Sequence, residues 1–112
     1  MALIGTFVPT SNGFNGRIRT FVLDAEVTIS ILREPAGENP PDFLITLGKT
    51  GEGPHVGAAR RRKTEKGSDF ISVRIDDPSL RNPIFAGLFP SEKSTNLYKL
   101  YWTRLNRPED KP

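Results

Sequence analysis

Apolar and polar residues alternate with a period of two along most of this chain, in short runs broken by Gly, Pro, Asn and Asp. That is the pattern of strands half-buried in an antiparallel sheet. The clearest run is Ala25 to Arg33, where Val27, Ile29 and Ile31 share one side and Glu26, Thr28 and Ser30 the other. Leu3 to Val8 predicts a first strand and Pro9 to Gly13 a loop. Phe14 to Leu23 predicts a second strand, with Ile18 and Val22 inward and Arg17, Arg19 and Phe21 outward, before a tight turn at Asp24 and Ala25. Glu34 to Pro41 (EPAGENPP) must be a loop, because Pro lacks a donor and fixes φ, and it is expected to be the most mobile segment. Further strands are expected at Phe43 to Leu47, Ile84 to Phe89 and Leu97 to Arg104. In the last of these, Tyr98, Leu100 and Trp102 alternate with Leu97, Lys99 and Tyr101. No segment holds a helical period between caps, which leaves room for at most a turn near Ser79 to Arg81 or Ser91 to Thr95.

The stretch from Gly57 to Ile75 folds into a hairpin that sorts its own residues. A loop of Glu65, Lys66 and Gly67, with Gly67 supplying a positive φ, opposes Thr64 to Ser68. The register then pairs Arg62 with Phe70, Arg60 with Ser72 and Ala58 with Arg74 on one face. Gly57, Ala59, Ile71, Val73 and Ile75 fall on the other. One face is core, and the other is cationic with an aromatic ring in it. Alternation aims Arg61 at the core side, so it must sit at the rim or find a carboxylate. Lys63 opposite Asp69 is a surface pair of little energetic value.

Seven or eight short antiparallel strands in one small domain predict an all-β meander forming a bent sheet or a small barrel, since closure removes exposed edges. At 112 residues the chain has room for one domain, expected over residues 1–105 with a flexible tail over 106–112. Cysteine is absent, which excludes disulfides, thiolate nucleophiles and cysteine-based zinc sites. The N-terminal MALIGTFVPT lacks the basic and apolar regions of a signal peptide and no run is long enough to span a membrane as a helix, so a cytoplasmic protein without membrane contact is expected. The net charge of +3 is modest, and what matters is that five of the sixteen Lys and Arg residues lie between Arg60 and Lys66.

Enzyme chemistry finds little material. The one histidine, His55, lacks a second His or Cys at ligand spacing. Asp76 and Asp77 stand before Pro78, where a carboxylate commonly caps an Asx-type turn instead of holding a cation. The glycines do not form a phosphate cradle, and the hydroxyls lack a base other than His55. No catalytic residue, metal or cofactor is therefore expected. Binding chemistry is better supplied: cations that follow phosphates, around a ring on which bases stack, are the recipe for single-stranded nucleic acid. Arg60, Arg62, Lys66, Phe70 and Arg74 supply it on the hairpin, and Arg17 and Arg19 extend it if the sheet brings the two hairpins together. Arg62 across from Phe70 also fits a plain cation–π pair.

The segments IGTF, GFNGRIRT, PDF, VGAA, KGSDFISVRIDDPS, PIFAGL and LYWTR, in that order from about Ile4 to Arg107, resemble the bacterial family catalogued as domain of unknown function 736. The resemblance implies a single-domain bacterial protein, carries over no catalytic residues, and suggests an association with mobile elements. The chain departs from that family's pattern in carrying Arg60 where members often have Trp. Two functions from different classes are thus expected. The first is a DNA- or RNA-binding β-domain using the hairpin face. The alternative is a protein-interaction module, a homodimer or a partner of a host factor, using an exposed strand edge or the aromatic last strand with Tyr101.

Overall fold

Period-two alternation bounded by turn residues gives this chain one apolar side to bury, and curling the sheet until its first and last strands meet buries it without leaving a strand edge. The computed structural model of the chain describes residues 2–94 and 96–102. Within them lie eight antiparallel strands: β1 (Ala2–Thr10), β2 (Gly13–Arg19), β3 (Asp24–Ile31), β4 (Phe43–Leu47), β5 (His55–Lys63), β6 (Asp69–Ile75), β7 (Ile84–Pro90) and β8 (Tyr98–Trp102). Each strand pairs with its neighbours in sequence, and β8 closes on β1 to complete a barrel. A barrel of this strand number has an interior just wide enough for side chains to fill. Phe7, Ile18, Ile29, Ile45, Val73, Leu88 and Leu100 fill it, all under 2 % exposed or at that value. No helix occurs among the described residues.

Closure answers the choice between bent sheet and barrel, and it removes the strand edge on which one interaction mode depended. Short overhangs remain, such as Val8 to Thr10, which pair with β2 beyond the end of β8. Pro9 belongs to such an overhang and not to a loop. It stands opposite Phe14 while β8 has already stopped at Tyr98 opposite Phe7, so its missing donor leaves no ladder bond unmade. The β1–β2 turn is reduced to Ser11 and Asn12.

The second boundary also moves. The reversal expected at Asp24 and Ala25 lies earlier in the chain, over Thr20 to Leu23, where the Thr20 amide donates to the Leu23 carbonyl at 2.7 Å. The Thr20 hydroxyl accepts from the Val22 and Leu23 amides at 3.3 and 3.1 Å, which is the local bonding that lets Thr displace a ladder. Asp24 consequently opens β3 opposite Arg19, and Val22, expected inward, is exposed at the tip with Phe21. The turn near Ser79 is present as a single Asp77 to Leu80 reversal. Thr95, the last expected strand residues Thr103 and Arg104, and the expected tail at 106–112 lie outside the described residues.

The outer face of β3 and β4 is covered too. Thr28 donates from Oγ1 to the Gly48 carbonyl at 2.7 Å, tying down the β4–β5 connection, and both Thr28 and its strand partner Thr46 are buried. Thr46 Oγ1 has no hydrogen-bond partner among the described residues. An unsatisfied buried hydroxyl costs about 1–3 kcal/mol. Thr46→Val, which keeps the branched shape, should therefore shift the urea midpoint upward with an unchanged slope, by about 1 kcal/mol at the low end of that range. A downward shift would mean that the hydroxyl is bonded.

Candidate nucleic-acid interface

The β5–β6 hairpin has the register its sequence dictates. Arg62 faces Phe70, Arg60 faces Ser72, Ala58 faces Arg74, and Lys63 faces Asp69. Gly67 takes φ 87° and its amide donates to the Thr64 carbonyl at 2.9 Å, while the Thr64 amide reaches the Ser68 carbonyl at 2.8 Å. Ala59, Ile71, Val73 and Ile75 are buried in the barrel, so the other face of the hairpin is the outer wall.

Closure then sets β7 and β8 beside that wall and adds rings to it. Phe70 stacks on Phe89 with centroids 4.9 Å apart and planes 8° from parallel, and Tyr101 meets Phe89 at 6.1 Å and 60°. The row runs across three adjacent strands, with each ring half-buried. It depends on a glycine. A Cβ on Gly87 would lie 2.6 Å from Cε1 of Phe89 and 3.5 Å from Phe70, so only a residue without a side chain lets the Phe89 ring lie against the sheet at that point. The expected Arg62–Phe70 cation–π pair gives way to this stack. The guanidinium–ring contacts are instead Arg61 over Phe43 at 4.7 Å and Arg74 over Phe85 at 5.9 Å.

The hairpin arginines divide by what holds them. Arg60 turns onto the β3–β4 connection, donating to the Asn39 side chain at 3.2 Å and to the Asn39 and Pro40 carbonyls at 2.5 and 3.0 Å, so it anchors the loop. Arg74 pairs with Asp76 at 3.0 Å, at the end of β6 away from the ring row. Arg61 finds the carboxylate that its position demands. Its amide donates to Asp42 at 2.8 Å, and its guanidinium lies 3.8 Å from the same group at the barrel rim. Arg62 has no carboxylate within 4.0 Å among the described residues, and the same holds for Lys66, Lys93 and Lys99. Lys66, Lys93 and Lys99 line an open cleft of about 880 Å³ with Phe89 and Tyr101, between the hairpin tip and the β7–β8 connection. Glu65, Glu92 and Asp69 share it, and Asp69 is already matched by Lys63 at 2.6 Å.

Arg17 and Arg19 do not join this surface. They lie on β2, which β3 and β4 separate from β5 on one side of the barrel and β1, β8 and β7 separate from β6 on the other. Arg17 is held by Asp24 at 2.6 Å and Glu26 at 3.6 Å, and Arg19 lies 3.7 Å from Asp24. The hydrogen bond to Asp24, then its charge, raise the Arg17 pKa above its ordinary value. These exposed pairs tie both arginines to the β2–β3 hairpin.

Asp77 behaves as a turn residue. Its Oδ2 accepts from the Ser79 hydroxyl at 2.5 Å and the Ser79 amide at 3.0 Å, and these bonds hold its carboxyl below the ordinary aspartate value. The stabilisation they give is present above that ordinary value and is lost as the pH falls through the lowered one. Asp76 is matched by Arg74, and no group of three or more metal-ligating side chains occurs among the described residues.

Phe89, Lys99 and Lys93 are the surface residues that the hairpin alone did not reveal. The signal for Phe89 and Lys99 was the outward phase of β7 and β8, which says which side they face but not which strand they adjoin, and Lys93 lies in the β7–β8 connection, where alternation carries no signal. A family model described as protein of unknown function (DUF736) matches residues 3–105. No curated protein and no solved structure matches the chain.

Proposed function

We propose that this chain, which belongs to the family described as protein of unknown function (DUF736), is a non-catalytic binding protein that holds single-stranded nucleic acid across the outer face of β6, β7 and β8. The observation that carries this reading is the row Phe70, Phe89 and Tyr101, bordered by Arg62, Lys66 and Lys99, cations without a carboxylate partner among the described residues. Bases stack on ring faces whatever their sequence, and cations on either side track the phosphates. Arg62 stands on the β5 side of Phe70, and Lys99 flanks Phe89 on the same strand as Tyr101, so a strand crossing the rings meets positive charge at both ends of the Phe70–Phe89 stack.

Fluorescence anisotropy of labelled oligothymidylate at a series of salt concentrations tests this. Binding should weaken as salt rises, because each neutralised phosphate releases counterions with a slope of about 0.7 per contact for single strands. The Arg62→Ala, Lys66→Ala, Lys99→Ala triple variant should bind less tightly and lose about two units of that slope. Absence of binding at low salt would contradict the reading.

A protein-interaction module is the second reading, and one observation favours it. Phe21 and Val22 project fully into solvent at the β2–β3 tip, at 105 % and 87 % exposure. Partner capture through that tip would tolerate salt and survive the triple substitution.

A further inference from the structure

In an up-and-down barrel the β1–β2, β3–β4, β5–β6 and β7–β8 connections emerge at the same end. There an open groove of about 870 Å³ lies over the buried end of the filled interior. Its walls are aromatic: Phe14 meets Tyr98 edge-on at 4.8 Å and Phe43 at 6.2 Å and 54°. Its rim is cationic, with Arg61, Arg62 and Lys63 consecutive along β5 where the hairpin overshoots β4. The Arg61 guanidinium reaches in over the Phe43 ring at 4.7 Å, which puts positive charge directly above the apolar wall. One carboxylate lines the groove, Asp69, which Lys63 holds at 2.6 Å, and Asp42 stands beside the rim 3.8 Å from the Arg61 guanidinium.

We propose that this mouth binds a small aromatic anion, a planar ring joined to a phosphate as in a mononucleotide. The ring lies over the cluster of Phe14, Phe43 and Tyr98 at the groove floor, where edge-on and offset contacts with aromatic partners are favourable. The phosphate stays at the rim, where Arg61 and Arg62 offer planar donors suited to its oxygens. A neutral ring would leave the rim unused, and a bare anion would leave the walls unused, so the site requires both parts in one molecule. It lies at the end of the barrel and shares Arg62 with the strand face proposed above, whereas Arg61, Phe14 and Phe43 lie off that face, so the response of these three separates the two sites.

Two-dimensional amide NMR of the intact chain, titrated in parallel with adenosine monophosphate, adenosine and inorganic phosphate, tests the proposal. The monophosphate should shift the Phe14, Phe43, Arg61 and Arg62 amides, with an affinity at least tenfold above adenosine's and no comparable response to phosphate. Ile31 stands at the groove edge at 39 % exposure, and Ile31→Trp should fill the mouth and abolish those shifts with the rest of the spectrum retained. Arg61→Ala should weaken binding of the monophosphate while leaving that of adenosine unchanged. Displacement of the monophosphate by a linear but not a circular oligonucleotide would identify the end of a strand as the source of the ring. Retention against both would identify a free small molecule. An equal response to all three probes, shifts that survive Ile31→Trp, or no shifts at millimolar monophosphate would overturn the proposal, with the outer strand face still open to its own test.

Discussion

Oligothymidylate should bind the Phe70→Ala, Phe89→Ala double variant at least about thirty-fold more weakly than the parent chain, since each lost base–ring stack is worth about 1–3 kcal/mol. Both rings are half-buried on the outer wall and lean on each other at 4.9 Å, so their removal takes a contact from the surface and leaves the barrel interior untouched. An aromatic pair is worth about 0.5–1.5 kcal/mol beyond its area, and the half-buried area lost adds to that, so Tm should fall while the filled interior keeps the barrel folded. Circular dichroism at the binding temperature should therefore show a folded barrel that has lost its ligand. Retention of affinity by the folded double variant would mean that cations alone hold the strand, and the platform would play no part.

One residue away the outcome reverses. Leu88 is completely buried, faces Ile71 across β6 and Leu100 across β8, and sits where the two strands bring their apolar phases together. Leu88→Ala should cost about 2–5 kcal/mol, the transfer term plus the cavity that closed walls cannot collapse to fill. Against a total stability of about 5–15 kcal/mol that is a large share, and it should be read from urea denaturation as a lower midpoint with an unchanged slope. A loss below about 1 kcal/mol would indicate an interior loose enough to refill itself, in conflict with a side-chain-filled barrel. Residues 87, 88 and 89 thus carry three separate jobs in sequence: clearance for a ring, core, and ring.

The β5–β6 pairing was fully legible from the residues. The EKG loop and the alternation on either side of it determine the β5–β6 register without reference to the rest of the chain, because a slip of one position would turn Ile71, Val73 and Ile75 to solvent. Arg61 illustrates the same logic: a charge on the apolar phase had to reach a rim or a carboxylate, and it reaches both. What period two does not encode is distance around the barrel. Arg17 and Arg19 share an outward phase with the hairpin arginines yet lie on the far wall, and Phe89 shares it and lies alongside Phe70. Side-chain bonding also overrode pattern in two places. Thr20 bonded its own turn and moved the β2–β3 reversal, and Arg60 left its face to hold the carbonyls of Asn39 and Pro40. Neither is visible in alternation: the Thr20 bonds are local turn chemistry, and the Arg60 partners are set by which loop crosses which strand.

The central claim is that a strand lies on the outer face of β6 to β8, and amide NMR of the labelled chain with oligothymidylate tests it most directly. The account predicts shifts concentrated at Arg62, Phe70, Phe89, Lys99 and Tyr101, with Arg17, Arg19, Phe21 and Val22 unmoved. Shifts centred on β2 and the β2–β3 tip, or a spectrum unchanged at low salt, would contradict it.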